Sequence, residues 1–314
     1  MSVIMTKVRT QFEQDIIEGL SKEQKTLSSK YFYDTKGDEL FQQIMHMEEY
    51  YLPEAELEIL SQQTENIISD FHHDSFNVIE LGAGDGSKTV HFLKNLMALG
   101  KDITYYPLDI SPNVLAINKA LISKALPNLK IELIPGDYFQ TLSKIPNDKP
   151  MLVLFLGSNL GNFRDEDAVD FITTINSHLL KNDALVLGLD LMKNPKTILA
   201  AYNDAHGITK EFNLNLLRRI NRELGGNFKV NQFDHYPVYN PLTGTCFSFI
   251  VSLAEQEVQI GCKSFSFKNG ETIHTEVSQK YNFKKIKYLQ EASGFSQLRH
   301  LTDSQNLFSI NVFS

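Results

Sequence analysis

Cysteine is scarce: Cys246 and Cys262 are the whole complement. Two thiols are too few for a disulfide framework, and they lack the spacing of a zinc site, so both are expected to be ordinary, partly buried side chains. Long apolar runs are missing as well. No stretch approaches the roughly 18 residues that a membrane-crossing helix needs. The segment Met1 to Phe12 has no sustained apolar run of the kind a secretory leader carries. Concentrated basic charge is the third absence. Thirty Lys and Arg stand against 38 Asp and Glu, a net charge of −8 at pH 7, and no cluster of cations offers a footprint for a phosphate backbone. These absences argue against a secreted scaffold, a membrane protein and a nucleic-acid binder. They predict a cytoplasmic protein whose partner is a small molecule.

What is present suits a packed fold. With 314 residues, 42% of them hydrophobic and 22% charged, the chain can bury the core of one large domain or two modest ones. The spacing of Val8, Phe12, Ile16, Ile17 and Leu20 predicts a helix from about Lys7 to Leu20, and a second amphipathic stretch runs from Glu54 to Ile68 behind Pro53. Between them lies an aromatic-dense segment from Tyr31 to Tyr51, most of whose rings are expected in the core. From Phe76 onward, short apolar strands alternate with helices. Strands are predicted at Asn77–Leu81, Ile103–Leu108, Ile131–Ile134, Met151–Leu156 and Ala184–Leu189, with helices at Lys88–Leu99, Pro112–Leu126 and Asp165–Leu180. Such alternation argues for a parallel sheet covered on both faces. After Pro195 a helix is predicted over Ile198–Leu224, then alternating antiparallel strands over Val238–Val258 and Lys263–Phe267. The tail resumes with a helix from Phe283 to about Ala292, Gly294 as terminator, and strands near Gln297–Leu301 and Leu307–Phe313. The fold expected is a doubly wound α/β sheet whose last strands return after an insertion.

The most informative local motif is Glu80-Leu81-Gly82-Ala83-Gly84-Asp85-Gly86-Ser87-Lys88-Thr89, which follows a strand and opens a helix. Glycines there let the main chain turn tightly and approach a ligand. Lys88 does not make it a phosphate-binding P-loop, because the four-residue gap between glycines is missing. Asp109 ends the second strand, where a carboxylate can accept hydrogen bonds from both ribose hydroxyls of an adenosine. Asp137 and Tyr138 follow the third strand, placed for an adenine amino group and ring. Acidic residues around a glycine loop suit a ligand without phosphates that carries a sulfonium cation, which describes S-adenosylmethionine. A nicotinamide cofactor is disfavoured by the glycine spacing.

Further segments extend this motif along nearly the whole chain: Tyr31-Phe32-Tyr33-Asp34, Glu49-Tyr50-Tyr51-Leu52-Pro53, Leu156-Gly157-Ser158-Asn159-Leu160-Gly161-Asn162, Asp190-Leu191, Ala201-Tyr202-Asn203-Asp204, Phe212-Asn213-Leu214-Asn215, Asn221-Arg222-Glu223-Leu224 and Thr275-Glu276-Val277-Ser278. In this order they resemble the histidine-specific N-α-methyltransferases, which make trimethylhistidine for ergothioneine biosynthesis. The resemblance implies a class I, Rossmann-like S-adenosylmethionine methyltransferase core of residues 60–194 plus 282–314. It also implies an inserted α+β substrate-binding domain of residues 1–59 plus 195–281. By position, Gly82, Gly84, Lys88, Asp109, Asp137 and Tyr138 would bind the cofactor, with Tyr33 beside its reactive end. Asn162 and Tyr202 would hold the carboxylate and amine of the amino acid, and Tyr50, Glu276 and Ser278 would face the imidazole. Tyr33 and Asn162 are the catalytic candidates. No metal, nucleic acid, membrane or obligate protein partner is implied.

The residue chemistry agrees. Glu276 can accept a hydrogen bond from an imidazole N–H, Ser278 can accept or donate, and residues at i and i+2 of a strand point to one face. His235 and His274 lack metal spacing and are expected to be structural or surface residues. The chain departs from the family at one place. Counted without gaps from His235, the position at which the family carries a methionine near the imidazole falls on Ser248, with Phe247 and Phe249 on the opposite face. That change predicts a roomier pocket with weaker affinity or broader tolerance, and it keeps a different amino acid or small amine open as the acceptor. A silent sensor of the same cofactor is the rival from outside enzymology.

Overall fold

The computed structural model describes residues 10–136 and 145–314. In chain order the strands are β1 (Ser75–Leu81), β2 (Asp102–Asp109), β3 (Lys130–Ile131), β4 (Ile134–Pro135), β5 (Met151–Phe155), β6 (Ala184–Asp190), β7 (Phe233–Asn240), β8 (Thr245–Ser252), β9 (Gln256–Ile260), β10 (Lys263–Phe267), β11 (Thr272–Gln279), β12 (Leu298–Thr302) and β13 (Phe308–Phe313). The chain divides into two compact units, Met1–Tyr50 with Asn194–Ser278 and Tyr51–Lys193 with Gln279–Ser314. We call the first the hairpin unit and the second the α/β unit.

In the α/β unit the sheet order is β12-β13-β6-β5-β1-β2-β3, with β4 also on β2. The strands β1, β2, β5 and β6 pair in parallel, while β13 runs antiparallel to both β6 and β12. This is a doubly wound α/β sheet. The near-continuous apolar runs have a direct cause: β5, β6 and β13 are buried along their whole length, as expected when helices cover both faces. The helix Asp165–His178 contributes Ala168, Phe171, Ile172 and Ile175 to the core at the spacing of one helical face. The helix Pro112–Ala125 starts where Ser111 Oγ accepts from the Val114 N–H, with Pro112 in the first turn.

In the α/β unit, three expectations need correction. The third strand is not continuous over 131–134: β3 and β4 are separate two-residue pairings along β2. The stretch 54–68 is two helices, Leu52–Gln62 and Thr64–Ile67. The expected boundary at residue 60 also moves. Leu52–Gln62 belongs to the α/β unit, where Ile59 and Leu60 are fully buried.

The hairpin unit holds a three-stranded sheet, β11-β8-β7, and the ribbon β10-β9. Here burial alternates along β7 and β8, because one face packs on a core and the other does not. That core joins Ile250 and Ile273 to Leu216, Leu217 and Ile220 of the helix Ile208–Leu224 and to Ile16 and Leu20 of the helix Gln11–Leu20. The predicted single helix 198–224 is interrupted. Pro195–Tyr202 and Ile208–Leu224 are separate helices, because the Asp204 carboxylate accepts from the N–H groups of Ile208 and Thr209, both at 2.8 Å, and caps the second one. The β7–β8 hairpin closes with Gly244 at φ 76°, pairing Asn240 with Thr245 and Pro237 with Ser248. Cys246 is buried as expected, whereas Cys262 is exposed.

Candidate active site

In the sheet order, β1 is followed on one side by β2 and β3, and on the other by β5. Ligands of open α/β sheets bind at the carboxyl ends of the strands where the order reverses. The loops 82–88 and 156–162 leave β1 and β5 at that point. The first is pinned by Gly82 and Ala83, whose N–H groups both donate to Leu108 O at 2.9 and 3.0 Å. Gly84 takes φ 54° with nothing within 4 Å of a built Cβ, so glycine is needed there for the backbone conformation and not for room. Asp109, at the end of β2, accepts from Gly84 N at 3.2 Å and from Ser111 N at 3.0 Å. Its carboxylate is thereby aimed at the loop. Asn118 was not singled out from the sequence. It is fully buried, and its amide donates to Gly84 O at 3.1 Å, which holds the loop from behind.

Lys88 pairs with the carboxylate of Glu56, whose other oxygen accepts from Gly157 N at 2.7 Å. Glu56 is fully buried and touches both loops of the switch point. Gly188 on β6 makes room for it, since a Cβ there would come within 2.2 Å of Glu56 Oε1. A signal for Glu56 was present. It lies on the apolar stripe Leu52, Ala55, Ile59, Leu60 of its helix, a position where a carboxylate needs a buried partner. Behind the second loop, Gly157 and Ser158 both adopt positive φ, 72° and 57°. For Ser158 that is a strained conformation, and its hydroxyl accepts from Asp190 N at 3.0 Å.

Glu80 and Asp190 are among the other buried carboxylates of this unit. Glu80 accepts from Thr89 Oγ1 at 2.6 Å and from the Tyr105 hydroxyl. Burial pushes its pKa up to about 7, against the pull of these two hydrogen bonds and of Lys88. Asp190 ends β6 and collects Lys280 Nζ at 2.7 Å, Lys193 Nζ, and the Tyr51 hydroxyl at 3.0 Å. Burial would raise the Asp190 pKa, but Lys280 and Lys193 outweigh it and hold the carboxyl below its usual range. Lys193 is itself lowered, chiefly by burial. Its three N–H donors are engaged by Asp190, Tyr51 Oη and Leu191 O.

The other site candidates divide between the units. Asn162 is exposed at the end of the 3-10 turn Asn159–Asn162 in the α/β unit. Asp137 and Tyr138 lie outside the described residues. In the hairpin unit, Tyr33 is 48% exposed, with its ring edge-on to Phe41 at 5.5 Å and Phe212 at 5.7 Å. Tyr50 packs against the hairpin-unit core. Tyr202 is buried, and its hydroxyl donates to Ser278 Oγ at 2.7 Å. Glu276 is half-buried on the same strand, β11. Ser248 is buried with its Oγ 3.3 Å from His235 Nε2, while Phe247 and Phe249 face His274. Burial lowers the pKa of His235 to about 4.

The α/β unit fits S-adenosylmethionine by its donors and acceptors. Asp109 would present its carboxylate to a ribose diol, and Lys88, paired with Glu56, would present its ammonium to an amino-acid carboxylate. The glycine loop lets the main chain approach both. The fold and this site define a class I methyltransferase. The family model for S-adenosylmethionine-dependent, histidine-specific methyltransferases matches residues 12–314, and the chain belongs to that family. Among relatives, the histidine N-alpha-methyltransferase of Mycobacterium tuberculosis is 33% identical over 95% of this chain and 93% of its own length. Ergothioneine biosynthesis protein 1 of Schizosaccharomyces pombe is 30% identical over 86% of this chain and 36% of its own length. Among solved structures, the mitomycin 7-O-methyltransferase superposes with a TM-score of 0.52 at 14% identity, covering 97% of this chain and 68% of the other. That last likeness concerns the fold alone. The chain is an S-adenosylmethionine-dependent N-methyltransferase.

Proposed function

We propose that the acceptor is the α-amino group of free L-histidine and that transfer continues to trimethylhistidine. The bound cofactor supplies a methyl group on a sulfonium sulfur, an electrophile that needs no further activation. The protein's task is to hold a neutral amine in line with it. Free α-amines with pKa of roughly 8 to 10 lose their proton readily among neutral groups, so no strong base is required. Lys193 does not serve as one, because all three of its donors are committed inside the fold.

The observation that carries the acceptor reading is the hydrogen bond from Tyr202 to Ser278, with Glu276 two residues earlier on β11. Tyr202 and Asn162 suit the carboxylate and amine of an amino acid, and Glu276 and Ser278 suit the two nitrogens of an imidazole. The Tyr202–Ser278 bond links one group of each set, from the helix Pro195–Tyr202 to β11. An exposed Tyr33 ring also suits a product that has lost every N–H, since a quaternary ammonium gains roughly 0.5–2 kcal/mol on an aromatic face. One observation favours a second reading, transfer to a different amino acid. The small Ser248, its hydroxyl turned to His235, occupies the position at which the resemblance puts a methionine.

Incubation with labelled S-adenosylmethionine and a pool of free amino acids, read by mass spectrometry, tests both. Label on histidine supports the first reading, and preference for a non-imidazole amino acid selects the second. Glu276→Ala should lower kcat/KM for histidine by about 10- to 100-fold, the scale of a lost polar contact to substrate. Calorimetric affinity for the cofactor should stay unchanged. Equal loss of both would make Glu276 a residue of the fold.

A further inference from the structure

Tyr33 combines two properties that seldom go together. Its ring is half exposed, yet the main chain beside it is tied by hydrogen bonds within the hairpin unit. Arg219 Nη1 donates to Tyr31 O at 3.0 Å and to Tyr33 O at 3.4 Å. The next residue, Asp34, caps the helix Thr35–Met45 by accepting from Gly37 N at 2.7 Å. Asp34 also accepts from Asn215 Nδ2 at 2.8 Å and from Arg222. Burial would raise the Asp34 pKa, but the bonds from Gly37, Arg222 and Asn215 win and keep it ionised. Gly37 lies so close under this turn that a Cβ would come within 1.8 Å of Phe32 O. The residues doing the holding, with the ring contact Phe212, are 212, 215, 219 and 222 of one helix, Ile208–Leu224. Spacings of three, four and three put them on one face. Arg219 is itself steadied by Glu223 at 3.2 Å and by the ring of Phe12.

A surface loop gains nothing in solubility from such bracing, and an exposed phenol needs no fixed main chain unless its direction matters. We propose that Arg219, with Asn215 and Arg222 behind it, is a positioning residue for methyl transfer: it fixes the backbone at Tyr33 and with it the orientation of this ring. The inference rests on the reading that Tyr33 acts at the reactive end of the site. It assigns work to the two motifs of the helix Ile208–Leu224 that the cofactor and acceptor roles leave unused.

The test is a double-mutant cycle on the full chain, with the acceptor picked out by the labelled-cofactor assay. Rates at saturating substrates, cofactor affinity by calorimetry and the unfolding midpoint are measured for Arg219→Met, Arg219→Lys, Tyr33→Ala and the double variant Arg219→Met/Tyr33→Ala. Arg219→Met should lower kcat by about 10- to 30-fold, less than the hundredfold that ångström-scale misplacement can cost. Cofactor affinity should be retained, and Arg219→Lys, which keeps one donor, should recover part of the rate. On the Tyr33→Ala background the same substitution should change kcat less than twofold, because its effect passes through that ring. An equal loss on both backgrounds makes Arg219 a brace of the fold and overturns the proposal. So does a wild-type rate for Arg219→Met while Tyr33→Ala is slow, which leaves the role of Tyr33 standing. A wild-type rate for Tyr33→Ala overturns that role and the inference with it. If Arg219→Met does not fold, the exposed Arg222→Gln carries the same cycle and the same outcomes.

Discussion

Glu80 and Asp190 are both buried carboxylates near the carboxyl ends of central strands, yet they end in opposite states. Glu80, on β1, is 3% exposed and met by two hydroxyls, and its pKa rises to about 7. Asp190, on β6, is fully buried between two lysines and stays below the usual carboxylate range. Burial alone pushes any carboxyl upward, and neutral donors offset that only in part. A cation in contact reverses it. The region around the glycine loop therefore carries a carboxyl that titrates near neutrality, while the end of β6 carries a permanent charge cluster.

Removing the charge from that cluster should have the largest effect. Asp190→Leu leaves Lys280 and Lys193 buried without their counter-charge, and we expect a loss of about 3–5 kcal/mol in urea unfolding. The compensated variant Asp190→Leu/Lys280→Met should recover much of it. A small loss in the single variant would mean that the lysines had found water, which breaks the comparison. Glu80 comes next, through pH. Its folded pKa lies above the unfolded value of 4.5, so the folded state holds the proton more tightly. Its contribution to stability is complete below pH 4.5 and is lost as pH rises through about 7, a fall of roughly 3 kcal/mol. Denaturation curves at pH 4.5 and 7 should show that fall in the wild type minus Glu80→Gln. A difference of the opposite sign would place Glu80 with Asp190. Asp109 sharpens the contrast from outside the core. Partly exposed and met by two main-chain N–H groups, it is a strand-end carboxylate available to a ligand. Asp109→Ala should weaken cofactor binding by roughly 1.5–3 kcal/mol, the cost of losing a charged acceptor, with little change in the unfolding midpoint. Unchanged affinity by calorimetry would remove it from the site.

The two units also differ in how much of them the sequence announces. Apolar runs such as Met151–Leu156 mark strands buried on both faces, so the α/β sheet is legible by period, whereas β7 starts at Phe233, five residues before the alternation expected from Val238. The interruption between Tyr202 and Ile208 was missed because the period alone runs through it. The decisive feature is the carboxylate of Asp204 turning onto the N–H groups of Ile208 and Thr209. The unit boundary shifted for a related reason. A helix carries no mark of which core it will join, and Leu52–Gln62 joins the one that buries Glu56 against Lys88.

Local information alone therefore determined the alternation of strands and helices, the glycine loop, the carboxylate at the end of β2 and, through the order of its motifs, the family. All but the family depend on neighbours within a few residues, and the family follows from short motifs whose order the chain states directly. Tertiary structure decided the partners. Glu56 reaches Gly157 across 101 positions, Tyr202 reaches Ser278 across 76, and Arg219 reaches Tyr31 across 188. Such pairings follow from where the sheet and the hairpins bring distant segments, and a buried carboxylate takes its charge state from whichever neighbour arrives.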